Sequence, residues 1–166
     1  MNAEQLRAHA SIGLAVISCQ ALEMLFALCV RLVFKNQSAE SLNEITPLEK
    51  NFSKPSMKVI LEELRRYVDV SIDFENRLLD LIERRHTLIH RWGIEFGLPN
   101  NDAGHAKIAQ FSDVLAKDAN GLSNILYEYI AEWLRKFPEF QEVLAKNEAI
   151  SPSRIPEELR GLKIKS

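Results

Sequence analysis

The sequence predicts an all-α protein. Its 166 residues include only six glycines and six prolines, and residues that favour helix, such as Leu, Ala, Glu and Lys, are abundant. Apolar residues recur at helical spacing in four long segments, without an alternating strand pattern or a Gly-rich phosphate loop. We therefore expect an antiparallel up-and-down bundle of four main helices, followed by a short C-terminal helix.

The first predicted helix covers residues 3–35 and is apolar on most sides, so we expect it to be contacted from several directions. Residues 11–34 are rich in apolar residues and could be mistaken for a bilayer-spanning helix, but Gln20 and Glu23 lie in the middle of this segment, where a carboxylate is costly in lipid. A core helix is the better interpretation. Its main stripe comprises Leu14, Ile17, Ala21, Leu25, Leu28 and Leu32, and a second stripe comprises Val16, Met24, Ala27 and Val30.

Three further helices are predicted after a polar loop or crossover at 36–54, which contains Pro47. The second covers about 55–68, with Pro55 in its first turn. The third covers about 72–93, and the fourth about 103–136, between a candidate N-cap at Asp102 and a stop at Pro138. A short helix at 139–147 follows. We expect a helical domain over 1–149 and a tail over 150–166. The stripe of the third helix comprises Phe74, Leu78, Leu81, Ile82, Leu88, Ile89 and Trp92.

Charge and cysteine content narrow the classes of function. A net charge of −2 and a pI near 6.1 exclude a strongly basic nucleic-acid coat, so any RNA contact has to be local, as in the basic cluster at 84–91. Cys19 and Cys29 lie ten residues apart in one predicted helix, about 15 Å, which is too far for a disulfide. Without a CxxC pair or a secretory signal, the chain is predicted to be cytoplasmic, with buried thiols and no membrane association.

The segment ERRHTLIHRW at 83–92 carries the candidate site. His86 and His90 are four residues apart and share a helix face with Glu83, as zinc ligands would. However, Thr87 occupies the position where a metalloprotease needs its general-base Glu, and no second ligand cluster is evident. We therefore predict no metal and no cofactor.

Arg85 has an unusual position within this segment, because projection at 100° per residue places it at the centre of the apolar stripe. An arginine there needs a carboxylate, since burying it unpaired is very costly. Glu23 in the first helix is a plausible partner. Arg85 is therefore either a structural buried ion pair or a functional group in a cleft.

An all-helical bundle with this motif near the end of its third helix resembles the HEPN superfamily, whose motif is R-x4–6-H with a polar residue after the Arg. Arg85 and His90 give this spacing, His86 is the polar residue, and Arg84 gives the alternative five-residue spacing. The resemblance extends over about residues 3–136. It implies a homodimer in which two motifs face one cleft and which, in many members, cuts RNA without metal. By the resemblance, His90 is the acid/base group, Arg85 stabilises the phosphate, His86 orients them or the RNA, and Arg84 has a supporting role.

Two functions follow from the resemblance. The first is a metal-independent endoribonuclease, as a toxin with an antitoxin protein as partner or as an antiphage effector. The second is a non-catalytic dimeric module that binds a ligand or regulates. In an ideal helix Arg85 and His90 point about 140° apart, so catalysis requires either a composite site across a dimer or a distorted helix end near Gly93.

Overall fold

The computed structural model describes residues 2–47, 56–96, 102–141 and 163–164, and this part of the chain is almost entirely helical. The first helix, α1 (Ala3–Leu28), continues into a π-helical segment, π1 (Cys29–Phe34), and a 3₁₀ turn covers Leu42–Glu44. Helices α2 (Met57–Leu64) and α3 (Ile72–His86) follow, and α3 continues through a second π segment, π2 (Thr87–Arg91), into the short α4 (Trp92–Glu95). The longest helix is α5 (Asp102–Leu134). The all-α prediction is confirmed.

The prediction for the second helix was wrong at its C-terminal end. Helix α2 ends at Leu64, and the chain then turns into a two-residue strand, β1 (Val68–Asp69), that pairs antiparallel with β2 (Lys163–Ile164). The partner strand lies almost a hundred residues away, and short-range periodicity carries no signal for such a pairing. A helical turn begins at 138–141. The remainder of the predicted 139–147 helix and the 149/150 boundary lie outside the described residues.

The chain divides into two compact units. The first unit consists of Met1–Leu22 and Asn76–Leu122, and the second consists of Glu23–Glu75 and Ser123–Ser166. Side chains that are almost completely buried form the core of each unit. In the first these include Ala15, Leu78, Leu81, Ile108, Leu115 and Leu122, and in the second Phe26, Val33, Ile60, Leu64 and Phe137. The motif segment at 83–92 belongs to the first unit.

Polar side chains fix the start of α1 and link it to the first residue of α5. The Asn2 side-chain oxygen accepts a hydrogen bond from the Gln5 backbone N–H (2.9 Å), and Gln5 Oε1 accepts one from the Asn2 N–H (3.0 Å), which is the reciprocal capping box of an α-helix. Asp102 is the first residue of α5 and not its N-cap as predicted. Its carboxylate accepts a hydrogen bond from Asn2 Nδ2 at 2.8 Å.

Helix α1 is less covered than its sequence predicts. Leu14 and Ile17, both in the predicted main stripe, are 53% and 65% exposed, whereas the opposite side of the helix is buried around Ala15 and Cys19. The prediction of contacts from several directions is therefore wrong for this face. The helical stretch Ala3–Phe34 is long and apolar enough to cross a membrane. It contains an apolar segment of 18 residues, of which 44% is buried inside the protein.

Both cysteines are buried, as predicted. Burial raises the pKa of the Cys29 thiol far above its ordinary value, because the charged thiolate is disfavoured away from water. Cys29 is therefore a neutral packing residue of π1, where it lies beside the buried Val30.

In the second unit, Arg31 and Glu63 form a two-pronged ion pair. The Arg31 Nε and NH2 groups donate to the two Glu63 carboxylate oxygens at 2.9 and 2.8 Å, and both side chains are only about a quarter exposed. These hydrogen bonds hold the pKa of the Glu63 carboxyl below its ordinary value. Paired, charge-assisted contacts of this kind are stronger than single surface ion pairs.

We expect Glu63→Gln to lower the free energy of unfolding by about 1–2 kcal/mol at pH 7. Because the folded pKa of Glu63 lies below its unfolded value of about 4.3, the pair stabilises the protein fully above that value and less as pH falls through the folded pKa. Urea melts at pH 7 and at pH 3 should therefore show the difference narrowing in acid. Glu132→Gln is the matched control, since Glu132 pairs with Arg135 on the surface, where it is 55% exposed. An equal loss in both variants would contradict the prediction.

Candidate functional site

Helix α3 positions the candidate site. Its start is fixed by Ser71, whose Oγ accepts a hydrogen bond from the Phe74 N–H at 3.3 Å. Leu78 and Leu81, at 1% and 0% exposure, anchor its inner face. The helix thus presents its outer face and its C-terminal end, with the motif, at the surface of the first unit.

The predicted buried stripe stops within π2. Leu88 is the buried residue of that segment, at 3% exposure, whereas Ile89 and Trp92 are each 38% exposed. The prediction that Ile89 and Trp92 belong to the core was wrong. A π turn holds one residue more than an α turn. From π2 onward, the residues that point inward are therefore not those that the 3.6-residue period of an α-helix predicts.

The same widened turn changes the relation between Arg85 and His90. In a regular α-helix their side chains point about 140° apart. An i→i+5 turn brings the fifth residue back towards the side of the first. Since π2 begins two residues after Arg85, only part of the turn from Arg85 to His90 is widened. The angle between these two side chains is therefore smaller than 140°, but they still do not point in the same direction. The helix end is therefore distorted, in a segment that begins six residues before the Gly93 near which the sequence suggested a distortion.

Both histidines of the motif are exposed and lie side by side. The ring centroids of His86 and His90 are 4.8 Å apart, with their planes inclined at 45°. On the same outer face, Arg91 NH1 donates to Glu83 Oε1 at 3.1 Å, and these two side chains are 50% and 64% exposed. An ion pair this exposed is weak, so a phosphate can compete with Glu83 for Arg91. This face therefore presents two imidazole rings and the cation of Arg91, which a phosphate can draw away from Glu83.

Arg84 is held by carboxylates on two helices. Its Nε lies 2.8 Å from Asp80 Oδ2, one turn earlier in α3, and its NH1 lies 2.8 Å from Asp118 Oδ2 of α5. The side chain is 23% exposed. Because a carboxylate faces Arg84 from each of the two helices, Arg84 ties α3 to α5, and its five-residue spacing to His90 is the weaker candidate for binding a phosphate.

Arg85 is half-buried, as is Glu23. This intermediate position agrees with the expectation that Arg85 does not lie on the solvated side of the helix. Its pairing with Glu23 stays a prediction.

Among the described residues, no group of three His, Cys, Asp or Glu side chains is placed so as to hold a metal ion. Glu83, the third potential ligand beside the two histidines, is engaged by Arg91.

Sequence reasoning missed two acidic residues that shape the site. Asp80 stands four residues before Arg84, a spacing at which opposite charges on a helix meet, so it was detectable. Asp118 comes from another helix, and no spacing in the chain points to it. The π segment that sets the orientation of His90 has no sequence signature either.

Comparisons with known proteins add no family. No protein-family model matches the chain, and neither a curated protein nor a solved structure matches it.

Proposed function

We propose that this protein is a metal-independent endoribonuclease of the HEPN type, with an Arg/His site at a cleft between two copies of the chain. The observation that carries the proposal is the π-helical segment placed within the R-x4-H motif. Such widened turns occur frequently at functional sites, and this one lies where Arg85 and His90 need a departure from regular helix geometry.

The chemistry needs three roles. His90 accepts the proton of a ribose 2′-hydroxyl, whose oxygen attacks the adjacent phosphorus. Arg85 stabilises the negative charge that builds up on the phosphate oxygens. His86, 4.8 Å from His90 between ring centroids, orients the imidazole or the RNA. The 5′-oxygen leaves with a proton, and the products are a 2′,3′-cyclic phosphate end and a 5′-hydroxyl end.

The wider setting follows from the same proposal. The four main helices form an antiparallel up-and-down bundle of HEPN type, two copies associate, and the protein acts in the cytoplasm on RNA without a cofactor. A toxin controlled by an antitoxin protein, or an effector of phage defence, fits such an activity. The exposed His86 and His90 are the features that support an open cutting site.

A second candidate is a non-catalytic HEPN-like dimer that binds a ligand or regulates. The half-buried state of Arg85 favours this alternative, because a buried arginine can hold a fold together without meeting substrate. In that case Arg85→Ala lowers the melting temperature, and no variant changes an RNA-cutting activity.

Cleavage of a mixed, end-labelled RNA pool by the purified protein in EDTA tests the proposal. We expect cutting by the wild type, with 2′,3′-cyclic phosphate ends, and none by the Arg85→Ala/His90→Ala double variant. Intact RNA after incubation with a folded wild-type protein would favour the non-catalytic module, and cutting that requires a divalent metal would contradict both the site and its chemistry.

A further inference from the structure

The outer face of α1 in the first unit is an exposed apolar strip. Three large side chains are more than half exposed: Leu6 at 58%, Leu14 at 53% and Ile17 at 65%. On a helical projection they fall within an arc of about 100° together with small residues that are also exposed. We call this surface the α1 strip; its six members are Leu6, Ala10, Gly13, Leu14, Ile17 and Ala21.

The strip carries no charged residue along its length. Arg7 borders it on one side, where it reaches Asp113 at 3.8 Å, and His9 and Gln20 border it on the other. From Leu6 to Ala21 it extends about 22 Å at 1.5 Å per residue. A continuous apolar surface of this kind, rimmed by polar side chains, marks an interaction site.

Gly13 adds a second, independent observation. A Cβ atom at this position would meet nothing within 4 Å, so nothing within the described chain requires a glycine there. Inside a helix, glycine nonetheless costs stability relative to alanine. A glycine in the middle of an exposed apolar face is explained if another backbone approaches closely at that point.

We propose that the α1 strip binds the α1 strip of a second copy of this chain, antiparallel, about a two-fold axis between Gly13 and Leu14. In a contact with two-fold symmetry, both copies use the same surface. A residue of one copy then lies at the same height along the helix pair as the residue of the other copy for which the two residue numbers sum to 27. This places Leu6 beside Ala21, Ile17 beside Ala10, and Leu14 beside Gly13. Each large side chain of one copy thus lies at the level of a small residue of the other.

A lipid surface is the competing occupant, and the composition of α1 disfavours it. Helices that lie on membranes are rich in Lys and Arg on their polar face, with aromatic residues beside the apolar one. Helix α1 contains one Arg, no Lys, and no Trp or Tyr. The self-complementary order of large and small residues has no use against fluid lipid, whereas it has one against a second helix.

The inference goes beyond the proposed ribonuclease and stands without it, since it uses only exposed residues of α1. It names the surface through which two copies meet. One helix face of six residues is a small contact beside the roughly 800 Å² per partner of a standard interface, so we expect a dimer with a dissociation constant in the micromolar range.

Sedimentation velocity of the full chain from about 1 to 300 µM, a range that brackets micromolar dissociation constants, tests the proposal. We expect the wild type to shift from monomer to dimer and Ile17→Glu to raise the dissociation constant at least about a hundredfold, because two carboxylates would be buried near the axis. Val59→Glu is the matched control, since Val59 is an apolar residue of α2 that is 43% exposed. It should dimerise like the wild type.

Gly13→Ala gives a second readout with opposite signs. We expect the melting temperature of the dilute monomer to rise by about 2–4 °C, through better helix propensity and without a clash, while dimerisation weakens because the helices can no longer approach closely. A variant that merely misfolds would lose both properties.

Three results would overturn the inference. If the wild type stays monomeric at the highest concentration, no second copy binds the α1 strip. A dimer that survives Ile17→Glu assigns the contact to another surface. Wild-type flotation with neutral phosphatidylcholine vesicles, lost in Ile17→Glu, assigns the strip to lipid. If Ile17→Glu still dimerises and still cuts RNA, the proposed function stands and this surface alone is removed, whereas a monomeric wild type that cuts RNA would contradict the proposed cleft between two copies as well.

Discussion

His90→Ala is expected to reduce RNA cleavage by about 10²–10⁴-fold, the usual contribution of a positioned acid/base group. The fold should be unaffected, because His90 is exposed and surface substitutions usually change stability by less than about 0.5 kcal/mol. Single-turnover cleavage rates and a thermal melt of the same preparation measure both properties.

His9→Ala is the control for this variant, since His9 is an exposed histidine of the same unit but lies on α1. It should cut RNA at the wild-type rate. Arg91→Ala tests the role of charge separately from catalysis. Removal of this cation should weaken RNA binding and reduce the salt dependence of binding by about one phosphate contact, with the cleavage rate at saturating RNA preserved. Equal cleavage by the wild type and His90→Ala would remove His90 from the mechanism.

Leu88→Ala is expected to lower the free energy of unfolding by about 2–4 kcal/mol. Leu88 is the buried residue of π2, at 3% exposure, and its truncation leaves a cavity beneath the segment that carries His90. The adjacent Ile89 is 38% exposed, so Ile89→Ala should cost less than about 1 kcal/mol. Urea denaturation of the two variants measures this difference directly.

The pair tests the widened turn itself. In the regular register both residues belong to the buried stripe and their truncations would cost similar amounts, whereas the shifted register separates them. Similar losses at Leu88 and Ile89 would therefore contradict the π-helical register. Because π2 orients His90, we also expect Leu88→Ala to slow RNA cleavage more than Ile89→Ala at a temperature where both variants are folded.

Much of the helical architecture was predictable, because it depends on local patterns. In α5, the buried Ile108, Leu115, Leu122, Leu126 and Trp133 follow the periodicity that the sequence shows, and Pro138 lies four residues after the last residue of the helix. The β1–β2 pair was not predictable, because two-residue strands joined across the length of the chain leave no periodic signal.

The candidate site was predictable in its residues but not in its geometry. The spacing of Arg85 and His90 is visible in the sequence, and so is the i, i+4 relation of Asp80 to Arg84. The shift of register at Leu88 and the contribution of Asp118 depend on packing between helices. The exposed face of α1 was mistaken for core for a related reason: helical periodicity shows that a face is apolar but not whether the chain itself covers it.

Because π2 narrows the angle between Arg85 and His90 of one chain without closing it, the proposed cleft between two copies requires Arg85 of one copy to act with His90 of the other. Mixing two inactive variants tests this central claim most directly. We expect Arg85→Ala and His90→Ala to be nearly inactive as homodimers, whereas a heterodimer of the two holds one composite site with both residues intact. After subunit exchange at equal concentrations, half of the dimers are mixed, and we expect about a quarter of the wild-type activity to return. If no activity returns although mass spectrometry shows heterodimers, the site lies within a single chain or does not exist, and the composite arrangement is contradicted.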